Sequence, residues 1–155
     1  MARSFASQTT DRVSVPAYAG LSQYTGASIL AWFKRAAAPT AGNAIAIYNE
    51  VANFDEQVFI EMDTTAGANN GKLYVTWRTP ATFTDFLSTN VFDDDLWHWV
   101  LLVRRSSSPF TQLYVDGVSE GSNTTDPGTN ATSKTIDWGL RSDIANSSFG
   151  GRLAR

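Results

Sequence analysis

No cysteine occurs in the 155 residues, which excludes disulfide staples, thiolate nucleophiles and cysteine-based zinc sites together. Histidine occurs once, at His98, so the chain has neither a histidine metal cluster nor a second imidazole for acid–base work. Charged residues make up 17% of the chain and the formal net charge is −3, leaving no basic footprint for nucleic acid or an anionic membrane surface. No run reaches the roughly 18 consecutive apolar residues that a helical membrane span requires, so membrane insertion is not expected. Met1-Ala2-Arg3-Ser4-Phe5 enters strand-like sequence at once, without the apolar stretch of a signal peptide, and predicts synthesis in the cytoplasm. Without covalent staples, stability must come from packing.

The material for packing is plentiful. Hydrophobic residues make up 43% of the chain, with five tryptophans and nine phenylalanines, which suits one domain over residues 1–155 and is too little for two. The stretch over residues 93–118, DDDLWHWVLLVRRSSSPFTQLYVDGV, organises the rest. Two β-type runs, 97–105 and 111–115, flank the turn-forming Ser106-Ser107-Ser108-Pro109, and Asp116-Gly117 supplies a tight turn out of the second. An antiparallel hairpin is predicted. Val100, Leu101, Leu102 and Val103 are apolar without a break, which predicts a central strand covered on both faces.

Around this hairpin the periodicity is that of strands. Short strands are predicted over 3–6 and 12–15, with Pro16 ending the second. A strand over 28–34 sets Ile29, Ala31 and Phe33 against Leu30, Trp32 and Lys34 on the other face. Residues 36–43, AAAPTAGN, read as a turn, because Pro39 and Gly42 would interrupt a helix. Strands over 44–48 and 57–62 follow, the latter with Val58, Ile60 and Met62 inward and Phe59, Glu61 and Asp63 opposite. Asn70-Gly71 is the strongest turn signal, so a strand over 72–78 pairs antiparallel with 57–62 and presents Tyr74, Thr76 and Arg78 on one face. Loops are expected over 85–96 and 120–133, and last strands over 134–140 and 149–153. No convincing helix and no solenoid repeat occur.

Trp97-His98, the run Val100 to Val103, and Leu113-Tyr114-Val115-Asp116-Gly117 after a short loop together resemble the central hairpin of laminin G-like domains, part of the concanavalin A-like lectin and glucanase superfamily. Ser4-Phe5 and Asp11-Arg12-Val13-Ser14-Val15-Pro16 resemble its opening strands, Ser28-Ile29-Leu30-Ala31-Trp32-Phe33-Lys34 its next core strand, and Phe149-Gly150-Gly151-Arg152-Leu153-Ala154 its closing motif. The resemblance implies an all-β fold: an antiparallel β-sandwich of jelly-roll, concanavalin A-like type. It does not choose a function, since lectins, hydrolases and structural modules share the scaffold. Short versions without a signal peptide resemble those encoded by bacteriophages, which points to a virion surface. The family normally adds a strand beyond the closing motif, whereas this chain stops at Arg155. Either the chain is a natural short form or truncated product, or the absent strand leaves an open sheet edge, able to receive a neighbouring subunit, a second copy included.

Three motifs carry candidate chemistry. Gly117-Val118-Ser119-Glu120-Gly121 matches the Gly-x-Ser-x-Gly pattern, but Ser122-Asn123-Thr124-Thr125-Asp126-Pro127 cannot begin the helix that a nucleophile elbow needs. Glu61-Met62-Asp63 matches the start of the glucanase motif, in which alternating acids on one strand face act as nucleophile and acid/base. Thr64, Thr65 and Ala66 stand where the further glutamate would be, so no hydrolase is predicted. Asp93, Asp94 and Asp95 are candidate calcium ligands from a rim loop, the alternative being a solvated loop tip. Three glycosylation-like triplets, starting at Asn123, Asn130 and Asn146, follow from an Asn/Ser/Thr-rich composition alone.

Phe59, Glu61, Tyr74, Arg78 and Tyr114 remain as contact residues, aromatic rings beside polar groups that suit either a cell-surface glycan or a protein subunit. The expected function is a non-catalytic structural or adhesive module on a bacteriophage virion, as capsid decoration or as a tail or fibre component. The alternative is an autonomous glycan-binding lectin module assisted by calcium.

Overall fold

Alternation along the chain becomes alternation of burial. A computed structural model of the protein describes residues 3–4, 13–18, 23–35, 45–53, 56–63, 67–129, 134–138 and 152–154. These form β1 (Arg3–Ser4), β2 (Val13–Tyr18), β3 (Ala27–Lys34), β4 (Ile45–Asn53), β5 (Glu56–Met62), β6 (Lys72–Arg78), β7 (Phe83–Val91), β8 (Trp97–Arg104), β9 (Thr111–Val115), β10 (Val118–Asn123), β11 (Lys134–Trp138) and β12 (Arg152–Ala154). Two six-stranded antiparallel sheets result, ordered β1-β12-β3-β8-β9-β10 and β2-β11-β4-β5-β6-β7. The molecule is an all-β sandwich. Phe33, Val100, Leu102, Leu113 and Val115 of the first sheet meet Val58, Ile60, Met62, Leu73, Val75 and Trp77 of the second in one buried core. On β3 the inward set is Ile29, Ala31 and Phe33, as a period of two demands.

Both expected hairpins are present. β5 pairs with β6 from Gln57↔Arg78 to Met62↔Leu73, and β8 pairs with β9 from Val100↔Val115 to Arg104↔Thr111. Gly71 takes φ 82° at the first turn, while Asp116 and Gly117, at 51° and 84°, form the tight turn between β9 and β10. Glycine is needed at position 71 for a second reason. A Cβ there would lie 2.6 Å from Cγ of Asp93.

Several boundaries differ from expectation for identifiable reasons. Pro16 does not end β2, because β2 is a sheet edge paired only with β11 and the register shifts beside the proline. β4 runs on through Asn49 and Glu50, both fully buried, and Glu50 accepts the Tyr48 hydroxyl at 2.9 Å. β7 replaces the loop expected over 85–96 as far as Val91: it is an edge strand whose inward residues are Thr84, Phe86 and Ser88, so it lacks an apolar rhythm. β10 replaces the start of the loop expected at Glu120. Glu120 sits where the β9–β10 register shifts and reaches across to β7, accepting the Asn90 backbone N–H and side-chain amide, each at 3.0 Å. The two sheets are thereby tied together along one side.

The expected open edge at the closing motif is also corrected. β12 is paired on both sides, with β1 and with β3. The turn over 36–43, Phe149-Gly150-Gly151 and the triplets at Asn130 and Asn146 lie outside the described residues.

Candidate functional site

Four of the five predicted contact residues share one surface, the outer face of the second sheet. Cross-strand register sets Gln57 beside Arg78 and Phe83, Phe59 beside Thr76 and Asp85, and Glu61 beside Tyr74 and Leu87. The rings of Phe59 and Tyr74 lie 5.9 Å apart, tilted by 52°. The centre of this face is covered, with Phe59 5% and Glu61 1% exposed, which removes both as surface contacts. Asn49 and Thr76, buried in the same row, join the polar set although the sequence did not single out Asn49. The β6–β7 margin is accessible. There Tyr74 donates to Asp85 Oδ2 at 2.6 Å, and burial together with that bond pushes its pKa up to about 12. Arg78 lies over Phe83, 5.6 Å from the ring centroid. Tyr114 does not belong to this group, because β9 is in the other sheet.

The acidic loop distributes its carboxylates instead of gathering them. Asp93 packs on Gly71 and its charge acts on the Arg35 guanidinium, whose pKa burial lowers to about 10 against that attraction. Asp94 Oδ1 accepts the Leu96 N–H at 2.9 Å and lies 3.0 Å from His98 Nε2. Asp95, at φ 62°, pairs with Lys34 Nζ at 3.3 Å. Among the described residues no three His, Asp or Glu side chains are placed to hold a metal ion. Asp93, Asp94 and Asp95, the calcium ligands considered from sequence, thus turn to separate partners.

His98 is the centre of the third arrangement. Its Nδ1 lies 2.6 Å from Asp116 Oδ2 and its Nε2 faces Asp94, while the rings of Phe33 and Phe92 pack within 5.5 Å and 5.2 Å. Burial alone would lower the imidazole pKa, but the bonds to Asp116 and Asp94 outweigh it and raise the value. Both ring nitrogens are engaged, so His98 is not a base for Ser119. That serine lies in β10, where its Oγ accepts from Gln112 at 3.0 Å.

On the outer face of the first sheet, Tyr114 alone was foreseen as a contact residue. Leu30, Leu101 and Tyr114 form one cross-strand row, Trp32 and Trp99 a second, and Lys34 and Trp97 a third. Leu30, Trp32 and Trp97 are 45%, 39% and 42% exposed, and Trp99, Leu101, Val103 and Tyr114 are half-buried. β8 is thus covered on one face only, contrary to the reading of its unbroken apolar run. An apolar strip two strands wide, three at the Tyr114 row, is left facing outward.

A laminin G model, described as the concanavalin A-like lectin/glucanases superfamily, matches residues 7–155. The chain belongs to this superfamily. Comparison by sequence with curated proteins gave no match. The structure is similar to mouse laminin alpha1 chain domains LG4-5, with TM-score 0.69 and 14% identity, covering 99% of this chain and 40% of that one. It is also similar to the CBM40 of the Ruminococcus gnavus IT-sialidase bound to alpha2,6 sialyllactose, with TM-score 0.59, 15% identity and coverage of 86% and 77%. A third similar structure is the binding domain of botulinum neurotoxin DC in complex with SialylT, at TM-score 0.62, 16% identity and coverage of 94% and 35%. At these identities the likeness establishes the superfamily fold.

Proposed function

We propose that the protein is a non-catalytic binding module that joins a larger assembly through the outer face of its first sheet. The observation that carries this is the exposed strip of Leu30, Trp32 and Trp97 with the half-buried Trp99, Leu101 and Tyr114 between them. Scattered apolar side chains on a surface need no explanation, whereas a contiguous aromatic strip marks an interaction site. Catalysis finds no support in the acids. Glu61 is buried beside Tyr74, and the positions after Asp63 hold Thr64, Thr65 and Ala66. The virion setting, with synthesis in the cytoplasm, rests on the resemblance to short phage-encoded domains, and mass spectrometry of purified virions tests it.

A second reading, glycan recognition, is favoured by the accessible β6–β7 margin, where Tyr74, Arg78, Phe83 and Asp85 set two aromatic rings beside a guanidinium and a carboxylate. Several structures similar to this chain are named as carbohydrate complexes, among them domain 4 of a GH43 arabinanase from Geobacillus stearothermophilus with arabinotriose. One experiment addresses both readings. Immobilised protein is challenged with sialyllactose, arabinotriose, β-glucan and soluble copies of the chain, with and without chelator, while released reducing ends are followed. The proposal expects no hydrolysis and capture that Leu30→Lys weakens. Hydrolysis abolished by Glu61→Gln would overturn it, and sugar capture lost in Arg78→Ala would establish the second reading.

A further inference from the structure

We infer that the occupant of the outer strip is a second copy of this chain, packed sheet to sheet about a two-fold axis; this rests on the reading of that face as the binding surface. Two strands spaced by about 4.8 Å, over eight residues rising about 3.3 Å each, with Tyr114 added from a third, give a strip of roughly 10 by 26 Å. Its area, on the order of 250 Å², suits the apolar centre of a standard interface of about 800 Å² per partner whose remainder is a polar rim. Sheets bury such faces by stacking about 10 Å apart with strands nearly aligned, which a face can do against its own copy.

One half of the strip disfavours a sugar. It is aliphatic, Leu30 beside Leu101 with Val103 one row on, and offers nothing to a hydroxyl, while Trp32, Trp97 and Trp99 form the other half. The polar groups at its border are already engaged: Tyr114 accepts from Arg105 at 3.1 Å and Gln112 donates to Ser119. Sugar hydroxyls pressed on this surface would lose water without finding partners.

Rim charges supply direction. One end of the strip carries the acidic turns, where Asp94, Asp95 and Asp116, 47%, 63% and 44% exposed at the side chain, outnumber the Lys34 and His98 they pair with, and the opposite end carries Arg105. A two-fold lying in the interface and crossing the strands brings the arginine end of each copy onto the acidic end of the other. A two-fold along the strands would set like ends together and is disfavoured.

The test is solution mass by light scattering across a concentration series from low to high micromolar. The expected result is a twofold rise in mass for the wild type, weakened by high salt, and a monomer for Leu30→Lys. Trp97→Ser, at a second exposed position, repeats the test should Leu30→Lys fold poorly, and Phe83→Ser on the other sheet should dimerise like the wild type. A wild type that stays monomeric throughout overturns the second copy, as does a dimer broken by Phe83→Ser and not by the strip variants. Immobilised protein separates the two claims. A monomer whose capture of a sugar or protein probe is still lost in Leu30→Lys leaves the binding face standing, and one whose strip variants change nothing overturns both.

Discussion

His98 couples the β9–β10 turn to the acidic loop, since Asp116 and Asp94 hold opposite nitrogens of one buried ring. Its raised pKa means that the folded state binds the proton more tightly than the unfolded chain. The stability this contributes is full below about 6.5, the ordinary histidine value, and is lost as pH rises through the folded-state value. Asp94, whose pKa is lowered because its bonds to His98 and the Leu96 N–H outweigh its desolvation, acts in the other direction: its share is present above 3.8 and lost as pH falls through the folded value. Thermal unfolding followed against pH should therefore show the melting temperature declining above 6.5, and His98→Gln should flatten that decline. An unchanged slope in the variant would dissociate His98 from it. At Gly71 the expected cost of alanine is at least about 1–2 kcal/mol from the positive φ alone, before the contact with Asp93 is counted. Denaturant unfolding of Gly71→Ala measures it.

Among the elements, β10 and β7 are the pair whose contact joins the two sheets at one side. Glu120→Ala removes charge-assisted bonds to Asn90 and should cost on the order of 1.5–3 kcal/mol. Hydrogen exchange of the β7 amides should quicken selectively, and uniform protection would contradict the tie. The same elements show what was legible in the sequence. The hairpins across Asn70-Gly71 and across Ser106 to Pro109 could be paired from the chain alone, whereas the strand after Asp116-Gly117 could not, because β10 is polar along its length. β7 could not, because an edge strand whose inward Phe86 stands between Thr84 and Ser88 carries no apolar period. Which sheet a strand joins is likewise invisible to periodicity. Tyr74 and Tyr114 look alike in sequence and lie on opposite sides of the sandwich. The run Val100 to Val103 announced burial on both faces because apolar residues stood at both parities, yet one parity faces outward. That mismatch between an apolar residue and its exposure is the signal that exposes the strip, and it exists only once the fold is known.

For the whole molecule, the superfamily scaffold supplies two outer faces of different character. The second sheet's face is closed at its centre and polar at its margin, whereas the first sheet's is open and apolar, so a protein contact is assigned to the latter. Its occupancy is read most directly by hydroxyl-radical footprinting of the full chain in dilute and concentrated solution. Trp32, Trp97 and Trp99 should oxidise readily when dilute and become protected as the mass doubles, while Phe83 keeps its rate. Tryptophans that stay equally reactive at every concentration, or protection that falls on Phe83 instead, would contradict the assignment of the first sheet's outer face as the contact surface.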